Sequence, residues 1–300
     1  MSSPRPRLTT ADFDPEVLVL FNAYVHGRID RRGFLDRAAK HAVGGVTAVA
    51  LLEALSPKFA QAQQVPPADA RLQVETLEFA SPLGHGKGRG YLARPARAAG
   101  PLPVVLVVHE NRGLSPHIED IARRLALDDF IAFAPDALFP LGGYPGDEDK
   151  ARELFGRLDQ AKTQQDFIAA AGFARGLAGG NGKLGAVGFC YGGGVVNMLA
   201  ARVPELGAGV PFYGVPAPLD RAGAIKAPLL LVFAGEDARI NALWPAYEGA
   251  LKAAGAKFEA VTYPGVQHGF NNDTTPRYDA AAAKAAWART LALFNRTLRV

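Results

Sequence analysis

The sequence predicts an α/β protein with a doubly wound, mostly parallel sheet carrying helices on both faces. An N-terminal helical or signal segment precedes it. Two observations carry the prediction. From about Leu72, short apolar runs alternate with longer amphipathic stretches, the pattern of strands and helices in a parallel sheet. Several of those runs are continuously apolar, as strands covered on both faces must be. The 300 residues are 49% hydrophobic and 21% charged, which suits a large packed core and excludes disordered, collagenous and coiled-coil chains.

In chain order, the strand-like runs are Leu72–Phe79, Gly90–Ala93, Val104–His109, Phe130–Ala134, Leu184–Phe189, Gly207–Phe212, Leu229–Ala234 and Phe258–Tyr263. Helical stretches lie near His117–Asp129, Glu148–Leu158, Thr163–Leu177, Gly192–Arg202, Leu243–Ala254 and Arg277–Leu298. Residues 72–300 form the main α/β domain, and 63–71, within a Gln/Pro-rich stretch, read as a linker.

Residues 1–62 have a different character. Arg31-Arg32-Gly33-Phe34-Leu35 is a twin-arginine pair, followed by an apolar run from Ala42 to Leu55 and by Ala60-Gln61-Ala62. A basic flank, a short apolar run and an A-x-A site make up an export signal, here of the Tat type, with a periplasmic destination and the Tat machinery as partner. The run is too short to span a bilayer, which takes roughly 20 residues, so no stable membrane insertion is expected. The alternative is a cytoplasmic protein that keeps the segment as helices, Phe13–Tyr24 and Arg31–Leu55, packed on the body. The net charge of +4 is divided evenly between residues 1–62 and the remainder, with no Lys/Arg run, so a nucleic-acid partner is not expected.

The one cysteine, Cys190, excludes an intramolecular disulfide and a thiolate metal cluster. It sits in Gly188-Phe189-Cys190-Tyr191-Gly192-Gly193-Gly194, after a strand and at the start of a helix. Glycines flanking a nucleophile permit the tight strand-to-helix turn of a nucleophile elbow. The helix N-terminus favours a thiolate, and the Tyr191 amide would face a developing oxyanion. A buried structural cysteine in a packing turn is the bland reading. Phosphate binding is the rival, but neither glycine fingerprint of phosphate loops is present.

Such an elbow needs an acid and then a histidine later in the chain. Leu229–Ala234 leads into Gly235-Glu236-Asp237, making Asp237 the acid candidate and Glu236 its competitor. His268, in the loop after Phe258–Tyr263, is the one histidine of six that follows Asp237. Val104–Val108 leads into His109-Glu110-Asn111-Arg112-Gly113, and the Asn111 amide is the candidate for the second oxyanion donor. Glu110 would oppose thiolate formation unless the site switches. Its bland reading is a solvated acid paired with Arg112.

Together G-F-C-Y-G-G, G-E-D-A-R-I, H-G-F and the glutamate of H-E-N-R-G resemble the dienelactone hydrolase family of the α/β-hydrolase fold, over roughly residues 72–298. The resemblance implies Cys190 as nucleophile, Asp237 as orienting acid and His268 as base. It implies Glu110 as the carboxylate that accepts the resting thiol's proton when substrate binds. It further implies opening of an unsaturated cyclic enol lactone by water with no cofactor. His268 would support thiolate attack on the ester carbonyl, the Tyr191 and Asn111 amides would hold the oxyanion, and water would release the acid.

The chain departs from the family at Asn272, where an arginine that binds the substrate carboxylate is expected four residues after the histidine. A second family arginine would lie on the helix beginning near Glu148, where the matching residue is acidic. Arg112 and Arg152 are the substitutes. Phe139, Tyr144, Phe155 and Phe270 are candidates for an apolar pocket. The resemblance thus implies a small ester or lactone as substrate, without carrying over dienelactone itself. A non-catalytic binding or redox-sensing protein using Cys190 is the competing class, and an interaction protein docking through residues 1–62 is a third. No metal is expected, because no two His/Cys lie at ligand spacing within the body.

Overall fold

A computed structural model describes residues 7–42 and 46–300. Its centre is an eight-stranded sheet: β1 (Leu72–Ser81), β2 (Gly86–Pro95), β3 (Leu102–Val108), β4 (Ile131–Pro135), β5 (Gly180–Phe189), β6 (Leu206–Phe212), β7 (Leu229–Ala234) and β8 (Phe258–Tyr263). The order across the sheet is β1-β2-β4-β3-β5-β6-β7-β8. β1 and β2 form an antiparallel pair with β2 antiparallel to β4, and every later pairing is parallel. All eight strand-like runs are strands. β1 and β2 extend beyond the apolar core of their runs because ladder pairing to a neighbour holds their polar ends.

The side-chain alternation of a strand explains the two layers. Val104, Leu106 and Val108 of β3 face a core shared with Phe167, Ala170, Val196 and Leu251. Val105 and Val107 face the opposite core with Ile121, Leu125, Leu293 and Phe294. The first face is covered by α7 (Gln160–Arg175), α8 (Tyr191–Arg202) and α10 (Trp244–Ala253); the second by α5 (Pro116–Leu127) and α11 (Ala280–Leu298). The short α6 (Glu148–Gly156) and α9 (Ala238–Asn241) lie beside the site. Helix starts follow their caps. α11 begins at Ala280, after the residue Arg277 expected from the pattern, because the Asp279 side chain accepts from the Ala282 amide.

Residues 7–42 and 46–62 pack on the body. α1 (Pro15–Val25) starts at Pro15 behind the Asp14 cap, and α2 (Arg31–Ala38) behind the Asp30 cap. α3 (Ala48–Leu55), capped by Thr47, is a separate helix, where one continuous helix over Arg31–Leu55 is expected from the sequence. The short α4 (Phe59–Ala62) follows. Val17, Phe21, Tyr24, Phe34, Leu52 and Leu55 form a small core of their own. Arg31 pairs with Asp149 at 3.0 Å, while Arg32 stays exposed beside Asp36. The stretch 63–71 is not a free tether. Val65 is buried, and its amide donates to Asp120 at 2.8 Å. Among the described residues, no helix is long and apolar enough to cross a membrane.

Candidate active site

Cys190 ends β5 and precedes α8 with φ +57 and ψ −111, a conformation that costs a non-glycine residue on the order of 1–3 kcal/mol. The glycines make it attainable. A Cβ on Gly188 would lie 2.2 Å from the Gly192 carbonyl oxygen, and one on Gly192 would lie 2.2 Å from that of Val108. The turn therefore closes backbone on backbone, and the thiol is held clear of the sheet at a helix N-terminus.

Asp237 follows β7, and His268 lies in the loop after β8. Both are buried, and His268 Nδ1 donates to Asp237 Oδ2 at 2.5 Å. This fixes the tautomer and leaves Nε2 for the thiol. Burial alone would raise the thiol's pKa, but the His268 charge and hydrogen bonds from both nearby histidines bring Cys190 down to about 5. Burial works against the His268 imidazolium, yet the Cys190 charge and the Asp237 carboxylate hold it up to about 9. Burial also disfavours the Asp237 carboxylate, but the hydrogen bond and charge of His268 keep its pKa below the usual value. Glu236, the competitor, is exposed.

The backbone amides of Tyr191 and Asn111 have no acceptor among the described residues, and both residues line the cavity that opens on Cys190. That cavity measures about 790 Å³ and is mostly apolar, with Tyr213, Met198, Val215 and Ile240 in its wall. Tyr213, at φ +38, sets its ring 4.7 Å from that of His268.

The Asn111–Arg112 loop is shaped by His109. Its Nδ1 donates to the Glu110 carbonyl at 2.5 Å, and its Nε2 accepts from the Ala137 amide at 3.1 Å. Glu110 is not paired with Arg112. Its Oε2 accepts from Asn272 Nδ2 at 2.7 Å, so the residue standing at the family-arginine position holds the carboxylate. Arg112 is buried, 3.6 Å from Glu148, and donates to the Val25 carbonyl from both terminal nitrogens at 3.3 Å.

The remaining substrate-binding expectations need correction. Arg152 lies over the Tyr24 ring at 4.6 Å and donates to the Ile29 carbonyl, so it holds the N-terminal helices. Phe139 is covered by Arg89, and the Tyr144 hydroxyl donates to Glu148; neither lines the cavity. Phe155 packs edge-on to Tyr191 behind the cavity wall, and Phe270 is core, wedged among Phe212, Tyr213 and Tyr263. Aromatic residues near a site in sequence are more often packing than pocket.

Two residues escape sequence reasoning. Arg277 is buried beside Cys190 and His268 in a second, 50 Å³ space, stacked on Phe21, with Nε and Nη1 unpartnered among the described residues. Its place nine residues after His268 is the one signal that could have found it. His26 carries no such signal. It ends α1, where Gly27 takes φ +72, and its Nε2 reaches 3.9 Å from Cys190 Sγ and 3.4 Å from His268 Nε2. His26, Cys190 and His268 offer ligand atoms all within 4.8 Å of one another. The expectation of no metal-type cluster considered the body alone and overlooked a histidine delivered from the N-terminal segment.

The family model described as "Dienelactone hydrolase family" matches residues 89–298, and one described as "YqhI-like" matches residues 5–41. A proposed carboxymethylenebutenolidase of Escherichia coli (strain K12) is 37% identical over 220 residues, covering 69% of this chain and 81% of the relative. A crystal structure of a proposed dienelactone hydrolase from Klebsiella pneumoniae superposes with TM-score 0.66 at 35% identity, covering 75% of this chain and 99% of its own. A dienelactone hydrolase-like promiscuous phosphotriesterase from metagenomic libraries shares the fold, with TM-score 0.65 at 23% identity, covering 76% of this chain and 99% of its own.

Proposed function

We propose that this chain, which belongs to the dienelactone hydrolase family and is a carboxylic-ester or lactone hydrolase, works through a Cys190–His268–Asp237 triad on neutral substrates. One observation carries the reading: the thiol on its strained turn stands within 4.8 Å of a ring nitrogen of His268, whose Nδ1 is bonded to Asp237. The Cys190 thiolate attacks the carbonyl carbon, and the Tyr191 and Asn111 amides receive the oxyanion. His268 then protonates the leaving oxygen; in a lactone that oxygen stays tethered to the acyl group. His268 next takes a proton from water, whose oxygen attacks the thioester and frees the acid and the thiolate. No redox step is involved, so the scheme calls for no cofactor.

Neutral substrates are favoured because the open cavity is mostly apolar and its arginines Arg202, Arg221 and Arg239 are exposed to water, while Arg112 is already engaged by Glu148 and the Val25 carbonyl. Glu110 is read as a support for the loop through Asn272, with the thiolate already formed at rest. The segment with residues 7–42 and 46–62 is read as a retained cap. The Tyr24 hydroxyl bonds Asp149, and the Lys58 amide donates to the Thr274 carbonyl at 2.7 Å. N-terminal sequencing of protein made in a Tat-competent host tests this against export and cleavage; loss of residues 1–62 overturns it.

The catalytic reading is tested with a panel of lactones and nitrophenyl esters on wild type, Cys190→Ala and His268→Ala. Turnover by wild type and loss in both variants is expected. Equal rates in all three would refute the triad.

A further inference from the structure

The N-terminal helices bring a third donor to the nucleophile and base, and the three have the geometry of a metal site. We propose that His26, Cys190 and His268 bind a zinc ion that holds the enzyme in an inhibited form. This rests on the triad reading only for the word inhibited; the binding itself does not depend on it.

A tetrahedral zinc ion, with bonds of about 2.3 Å to sulfur and about 2.05 Å to nitrogen, spaces its ligands roughly 3.4 Å apart between nitrogens and roughly 3.6 Å between sulfur and nitrogen. The two Nε2 atoms are 3.4 Å apart, and His26 Nε2 is 3.9 Å from Sγ. Closing those two edges takes movements of a few tenths of an ångström, and the third, between Sγ and His268, lies within 4.8 Å and closes by up to about 1.2 Å. A metal-ligating histidine usually donates its other ring nitrogen to a carboxylate or carbonyl, which points the lone pair at the ion. Both histidines are set this way. His268 Nδ1 is tied to Asp237 at 2.5 Å, and His26 Nδ1 to the Asn22 carbonyl at 2.8 Å. Once the proton that His268 Nε2 carries at rest has left, two nitrogen lone pairs and a thiolate converge on one point, which a cation satisfies.

The donor set selects the metal. One thiolate and two imidazoles suit zinc and similar borderline-soft ions, not magnesium or calcium. His26 and Cys190 line the 790 Å³ cavity, which gives water a route to the fourth position. Binding displaces the proton that His268 Nε2 carries at rest, which leaves to solvent. Arg239 Nη2 lies 3.4 Å from His26 Nε2, but this exposed side chain can swing outward. With both sulfur and His268 ligated, neither can attack nor move a proton, and the lone thiol is shielded from oxidation.

The test uses full-length chain, verified by mass to retain His26 and stripped with a chelator. Zinc alone is titrated against a chromogenic chelator. One equivalent is expected to bind, at least tenfold more weakly in His26→Ala and in His26→Gln, each checked by circular dichroism for an unchanged fold. Cobalt(II) in place of zinc is expected to give a thiolate charge-transfer band and tetrahedral ligand-field bands, both weakened in the His26 variants. Equal affinity in wild type and both variants would reduce the site to an ordinary Cys–His pair and overturn the proposal, as would no binding by wild type. Because these readings use no substrate, absent ester turnover would count against the triad alone.

Discussion

Replacing His268 by alanine should convert Cys190 from a resting thiolate to an ordinary buried thiol. The structure supplies the magnitude. Cys190 stands at about 5 against a reference of 9.0, with the His268 charge the largest influence lowering it. At pH 7, a thiol at about 5 is roughly 99% ionised and one at about 9 roughly 1%, so the thiolate population falls about 100-fold. In the variant burial still raises the thiol while His26 alone lowers it, so about 100-fold is the expected order of the effect. The signs of the two shifts define a window. The lowered thiol pKa keeps the sulfur charged above about 5, and the raised imidazole pKa keeps His268 charged below about 9. The ion pair therefore exists between those limits. Iodoacetamide alkylation, followed by mass against pH with a metal chelator present, should plateau from pH 6.5 to 8 in wild type and fall with a midpoint near 5. In His268→Ala, the rate at pH 7 should drop about 100-fold and climb with pH to beyond 8.5. A wild-type rate that itself climbs tenfold per pH unit between 6 and 8 would refute the thiolate and restore the neutral thiol that a guarding Glu110 predicts from sequence.

Three further outcomes follow from packing and charge. Gly192→Ala places a Cβ 2.2 Å from the Val108 carbonyl and should cost about 1–3 kcal/mol or more in urea melts; Gly249→Ala, in open space on α10, should be neutral or stabilising. Asp273 is buried against His117 and Arg124 and stands at about 2; desolvation opposes its charge, but those partners prevail. A depressed carboxylate stabilises above its unfolded pKa and loses that contribution as pH falls through its folded one, so the stability gap to Asp273→Asn should shrink by about 1 kcal/mol between pH 7 and pH 3. Phe34→Ala empties a fully buried position between Phe21 and Tyr24; a loss of about 3–5 kcal/mol from the cap's small core should expose residues 7–62 to limited proteolysis while the body's melting temperature holds.

The sheet was legible because its parallel strands are buried on both faces, so β3 to β7 are written as unbroken apolar runs that turn chemistry then punctuates. The order of Cys190, Asp237 and His268 was legible because each follows a strand, where the chain must turn back over the sheet edge. What stayed hidden depends on contacts between distant segments. Asn272 reads as a missing arginine, and only its hydrogen bond to Glu110 shows what stands there instead. Phe270 lies two residues from His268, yet its ring points into the core. His26 is 164 residues from Cys190, in a segment whose twin arginine and apolar run describe an export signal equally well.

The cap also decides what the site can bind, and this can be measured. Arg112 and Arg277 are both buried in the 50 Å³ space that Cys190 and His268 also line. The Val25 carbonyl at the end of α1 accepts from Arg112, and Phe21 covers Arg277. A helix C-terminus carries roughly half a negative charge, so α1 occupies the pair as a substrate carboxylate would. Removing the cap would leave two guanidinium groups beside Cys190, Arg277 with unpartnered nitrogens and Arg112 facing Glu148. A protease site inserted after Ala62 allows the cut to be made in the folded chain. Cleavage should lower KM for carboxylate-bearing esters at least tenfold relative to matched neutral esters, with the gain reduced in Arg277→Ala. An unchanged ratio after complete cleavage would mean that the cap does not mask these arginines. A gain that persists in full in Arg277→Ala would leave Arg112 as the sole carboxylate partner.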